Sequence, residues 1–190
     1  MGRWEPDAQG RLERAALDLF AERGYDQTTV ADIAARAGLT ERTFFRYYAD
    51  KREVLFAGAA AFQETFTRAV ESAPASASAL EAVGAAAEAA AAALEQYRGR
   101  DYARERQQLV AANPELRERE LIKLADVATV VAGALRVRGF DEPAASLSAE
   151  AGIAVFKIAY ARWVEPGQER GFVELVREAL SELPAPVPLG

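Results

Sequence analysis

Only three residues, Gly38-Leu39-Thr40, separate two short helical segments, and this corner constrains the chain more than any other feature. Thr29 precedes Val30-Ala31-Asp32 in a Thr-x-x-Asp arrangement. Its hydroxyl can cap the backbone N–H three residues on, while the carboxylate faces the positive helix end. The helix that begins at Val30 stops at Gly38, which supplies a left-handed residue, and Thr40 caps the next helix from Glu41 to about Tyr48. Phe44 and Tyr48 lie on the inner side of that second helix. They face an earlier helix, Asp7 to Arg23, whose Leu12, Ala16, Leu19 and Phe20 recur at helical spacing before Gly24.

The remainder of the chain reads as helix after helix. A capping box at Asp50-Lys51-Arg52-Glu53 opens a fourth helix to about Ser72, and Ser78-Ala79-Leu80-Glu81 opens a fifth that ends near Gly99. A sixth helix is cut at Asn113-Pro114, a seventh runs to Arg138, and an eighth and ninth occupy about Ala144 to Glu165 and Gln168 to Leu183. No segment shows the sustained alternation of a strand. The expected fold is all-α, with about nine helices, and the Pro-rich tail Pro184 to Gly190 is expected to be disordered. The alanine run Ala85 to Ala93, broken only by Glu88, reads as a strong helix former that lets helices pack closely.

With no His and no Cys, thiolate and imidazole metal sites, a Cys nucleophile and the commonest general base are all missing. Neither a Gly-rich phosphate loop nor a tightly spaced carboxylate pair with a metal role takes their place. The chain therefore reads as a non-enzyme without a cofactor. Its N-terminus has no apolar signal region and no run is long enough to span a bilayer, so a cytosolic location and no membrane partner are expected. A net charge of −6 is unfavourable for a protein that meets phosphates. From Arg36 to Arg52, however, five cations stand against two anions, which places a local basic balance at the corner itself.

Geometry alone leaves two uses for such a corner, since a helical adaptor could present it to protein as readily as a regulator presents it to DNA. The segment from Thr28 to Lys51, with Phe20-Ala21-Glu22-Arg23-Gly24-Tyr25 before it and Val54-Leu55 after it, resembles the DNA-binding signature of TetR-family regulators. The resemblance implies that residues 1–52 form a three-helix helix-turn-helix domain and residues 53–190 a helical ligand-binding and dimerisation domain. It makes Glu41 to Tyr48 the recognition helix in the major groove. Arg42 and Arg46 become the side chains that reach base edges or flanking phosphates, because Arg can donate twice to guanine, and Arg42 is the better base reader. Thr29, Thr43 and Tyr47 fall where the family meets phosphate, and Lys51 becomes a backbone anchor. Thr40 is a cap that can also touch phosphate. Phe45 stands where a Tyr is usual, and keeps apolar contact only.

The resemblance further implies a homodimer on a palindromic operator, acting as a repressor and released by a small-molecule effector. The dimer surface is expected from the eighth and ninth helices through Ile153, Phe156, Tyr160, Trp163, Phe172 and Val176. The fourth helix, joining head to body, is the expected lever. The turn Asn113-Pro114-Glu115-Leu116-Arg117 and the helix after it are similar to an acyl-CoA-sensing subgroup, in which Arg104, Arg106 or Arg117 would face an acidic ligand group.

Overall fold

The computed structural model of the chain describes residues 7–183, so the Pro-rich tail lies outside the described residues. Among these the chain forms α1 (Ala8–Arg23), α2 (Val30–Arg36), α3 (Glu41–Tyr47), α4 (Ala59–Ser72), α5 (Ala79–Tyr97), α6 (Gly99–Ala112), α7 (Pro114–Val137), α8 (Glu142–Trp163) and α9 (Phe172–Ser181). No strand occurs among them. Among the described residues two compact units result: one holds the described residues up to Ala59 together with Glu105–Leu121, the other Ala60–Arg104 and the described residues from Ile122.

The starts of these helices follow from side-chain chemistry. Thr29 and Asp32 form a reciprocal capping box on α2, Ser78 and Glu81 form another on α5, and Asp141 caps α8 just before Pro143 in its first turn. One start departs from expectation. Asp50 accepts hydrogen bonds from the backbone N–H groups of Arg52 (2.8 Å) and Glu53 (3.2 Å), yet only a single 3-10 turn follows, at Glu53–Phe56, before α4 begins at Ala59. Val54, Leu55 and Phe56 are all buried there. The turn packs on α1, so tertiary packing, and not the local cap, sets where the long helix begins.

In the first unit α1 packs on α2 and on the 3-10 turn, and Leu12, Phe20, Ile33, Phe44, Val54 and Leu116 are buried. Arg106 ties the same unit together: its Nε donates to the Leu55 carbonyl (3.0 Å) and its Nη1 to Glu120 (2.8 Å). Arg119 pairs with Glu53.

In the second unit α5, α8 and α9 pack against one another around an aromatic cluster of Phe62, Phe66, Phe156, Tyr160, Trp163 and Phe172. The alanines of α5 allow this closeness, and Gly152 marks its tightest point. A Cβ added there would lie 2.0 Å from Val83 Cγ1.

That core revises the expected dimer face. Ile153, Phe156, Trp163, Phe172 and Val176 are buried within the single chain, and Tyr160, half-buried, donates its hydroxyl to the Ala103 carbonyl (2.9 Å). Side chains already enclosed by their own chain have no area left to offer a second copy. Apolar surface stays outside on the opposite side of α8, where Leu147 is 72% and Ile158 57% exposed. By length and composition α8 is the one described helix that could cross a membrane, but its inner side is packed against α5 and α9.

Candidate nucleic-acid interface

The corner is built as its sequence requires. Gly38 adopts φ 67°, and the Leu39 N–H turns back to the Ala34 carbonyl (2.8 Å), closing the end of α2. Thr40 then caps α3, its hydroxyl accepting the Thr43 N–H at 3.2 Å and lying 3.0 Å from the Thr43 hydroxyl. Thr29 accepts the Asp32 N–H (3.1 Å) and donates its hydroxyl to Asp32 Oδ2 (2.6 Å). Those bonds from Thr29, with Arg23 at 3.6 Å, hold the Asp32 carboxyl below its ordinary range.

Helix α3 divides cleanly into two faces. Phe44 is fully buried, and Tyr48 just beyond the helix is buried with its hydroxyl on Glu13 (3.3 Å). Glu41, Arg42, Phe45, Arg46 and Tyr47 are exposed. Arg42, Phe45 and Arg46 stand at spacings of three and four, so they share one outward side. Among the described residues no hydrogen-bond or ion-pair partner of Arg42 is present. Arg46 leans along the helix, donating to Tyr47 Oη (2.8 Å) with its guanidinium 4.8 Å from the Tyr47 ring centroid.

The basic balance read from the sequence is thinner in three dimensions. Arg36 makes a two-point pair with Glu22 (2.9 and 2.7 Å), which lowers the Glu22 pKa, and Arg52 pairs with Asp50 (2.6 Å). Lys51 is held as well. Its Nζ donates to the carbonyls of Tyr25 (2.8 Å) and Thr28 (3.1 Å), reaches that of Asp26 at 3.5 Å, and sits 4.2 Å from the Tyr25 ring centroid. Lys51 is thus a staple for the turn between α1 and α2. Tyr25 beneath it is buried, which pushes its phenol up to about 12. Of the five cations, Arg42 and Arg46 are the two that α3 itself presents outward.

Two of the three arginines suggested for an acidic ligand are engaged elsewhere. Arg104 donates to the Val164 carbonyl (2.9 Å), and Arg106 is bonded to Leu55 and Glu120 as described. Arg117 is exposed. No group of three or more His, Cys, Asp and Glu suited to a metal occurs among the described residues.

Comparison with known proteins places this geometry. Residues 13–57 match the family described as bacterial regulatory proteins, tetR family, and residues 77–188 match the MftR C-terminal domain. The HTH-type transcriptional regulator TcmR of Streptomyces glaucescens is 42% identical over 76 residues, covering 40% of this chain and 34% of TcmR. The chain thus aligns with about a third of that relative. Among solved structures, FadR of Bacillus subtilis, in complex with stearoyl-CoA, superposes with a TM-score of 0.59 at 20% identity, covering 90% of this chain and 95% of that one. FadR of Thermus thermophilus, in complex with lauroyl-CoA, gives 0.54 at 22% identity, covering 96% and 98%. These structures share the fold.

Proposed function

The chain belongs to the TetR family of bacterial transcriptional regulators, and from that premise we propose that it is a ligand-responsive repressor that binds a palindromic operator as a homodimer. The observation that carries the reading is the outward side of α3. Arg42, Phe45 and Arg46 project together from a helix whose opposite side is locked in the core, at a corner capped by Thr29 and Thr40. In this reading residues 1–52 are the DNA-reading head and residues 53–190 the effector and dimer body, working in the cytoplasm. Arg42 reads a base edge, Arg46 and Tyr47 meet flanking backbone, and Thr29, Thr40 and Thr43 lie beside phosphates. Lys51 acts through the turn that it staples.

The exposed stripe of α8 supports a second copy as partner. Leu147, Ala151, Ala154, Ile158 and Ala161 recur at helical spacing, with small residues in the middle where two helices can approach closely. Glu150 and Lys157 flank the stripe, and among the described residues neither has an ion-pair partner. A two-fold axis near Ala154 brings Glu150 of each copy beside Lys157 of the other, the self-complementarity that an isologous interface requires. The outer face of α9, with Glu174, Arg177 and Ser181, is polar and lies outside this interface. Acyl-CoA thioesters are the first effector class to try, because the FadR proteins of the same fold hold stearoyl-CoA and lauroyl-CoA.

Selecting bound duplexes from a random pool, then titrating the winner against salt, tests the reading. A palindrome with half-sites about 34 Å apart, or a multiple, is expected, with affinity falling steeply as salt rises. Absence of binding to any duplex even at low salt would remove the DNA-binding function.

A further inference from the structure

Phe45 is the large apolar side chain on the side of α3 that carries Arg42 and Arg46, and it is 55% exposed. Its ring meets that of the fully buried Phe44 edge-on, with centroids 5.6 Å apart at 82°. The exposed phenyl is therefore braced from the core. Arg46 lies toward Tyr47. We propose that Phe45 reads the C5-methyl group of a thymine, so that each half-site carries a thymine one or two base pairs from the guanine contacted by Arg42. This inference rests on the DNA-binding reading above.

The chemistry selects the target by elimination. Base edges in the major groove are hydrogen-bond donors and acceptors, and the thymine methyl is the apolar group among them. A phenyl set against a donor or acceptor strips its water and gives nothing back, whereas against a methyl group both surfaces leave water together. Spacing fixes the neighbourhood. Three residues of helix advance about 4.5 Å, and successive base pairs lie about 3.4 Å apart, so Arg42 and Phe45 address positions one to two steps apart.

The test changes the methyl group alone. On the selected operator, replacing that thymine with uracil keeps every hydrogen bond and removes the methyl. Dissociation constants should rise about fourfold for one half-site and roughly tenfold or more for both, with the salt slope unchanged. In a duplex with cytosine at the position, 5-methylcytosine should bind several-fold better than cytosine. Phe45→Ala should bind thymine and uracil duplexes equally, and Phe45→Leu should retain the preference. The wild-type measurements need no variant, so a misfolded variant cannot obscure the outcome. Equal wild-type affinity for thymine and uracil on an operator that is still bound specifically overturns this inference alone. Failure to bind any duplex overturns it together with the DNA-binding reading.

Discussion

Lys51 illustrates how a single side chain can satisfy a family pattern while its charge is used within the fold. Its ammonium donates to the carbonyls of Tyr25 and Thr28 and covers the Tyr25 ring, closing the turn from which α2 begins. Hydrogen bonds from a charged donor contribute about 1.5–3 kcal/mol each when buried, and less at a half-exposed site such as this. Lys51→Ala should therefore destabilise the head by about 1–3 kcal/mol, visible as a lower melting temperature, with weaker DNA binding following from the loosened turn. An unchanged melting temperature with a uniform loss of DNA affinity would instead make Lys51 a direct phosphate contact. In the sequence Lys51 stood as a cation next to a basic helix. Nothing in its spacing reveals that the carbonyls of residues 25–28, more than twenty positions earlier, converge on its ammonium.

At the scale of elements, the caps were the most legible part of the chain. Thr29-x-x-Asp32, Thr40 and Ser78-x-x-Glu81 start helices because each is a local device, needing only its own oxygen and N–H groups within the next turn. The Asp50 signal was equally legible as a cap but not as the start of a long helix, because burial of Val54-Leu55-Phe56 is a tertiary demand. Helix packing supplies a second such demand at Gly152. An added Cβ would fall 2.0 Å from Cγ1 of Val83, a fully buried β-branched residue with little rotamer freedom in α5. Gly152→Ala gains about 1 kcal/mol of helix propensity but overpacks at about 1–3 kcal/mol, so a net loss on the order of 1 kcal/mol is expected in denaturant unfolding. A gain in stability would mean that α5 and α8 do not approach as closely as they do here.

At the scale of the whole molecule, the chain has more apolar helix surface than its cores consume: α7 leaves Leu121, Ile122, Val130 and Val137 exposed, and α8 leaves Leu147 and Ile158 exposed on its outer side. The absence of cysteine makes this directly testable. Ala154→Cys, placed at the proposed two-fold crossing, should cross-link the dimer under mild oxidation, because only Cα atoms within about 7 Å can be bridged. Val176→Cys, at a position enclosed by its own chain, should not. A dimeric Ala154→Cys protein that stays reduced would move the interface elsewhere, and a monomer at all concentrations would remove the dimer.

The sequence by itself determined most of the helices, their caps and the corner between α2 and α3, since each depends on interactions a few residues apart; the start of α4 was the exception. It also supplied the outward residues of α3, because period 3.6 separates Phe44 and Tyr48 from Arg42, Phe45 and Arg46 once the inner side is known. What tertiary structure alone decided is how charge and apolar surface are used. Arg36 and Lys51 look alike as cations in a string, but their partners, Glu22 and the turn carbonyls, are chosen by packing, whereas Arg52 finds Asp50 two residues away. Likewise Phe156 and Ile158 are equally apolar neighbours on α8, and only the positions of α5 and α9 make one core and leave the other bare. Local hydrogen bonds are written in adjacent residues, whereas burial is a property of which surfaces meet.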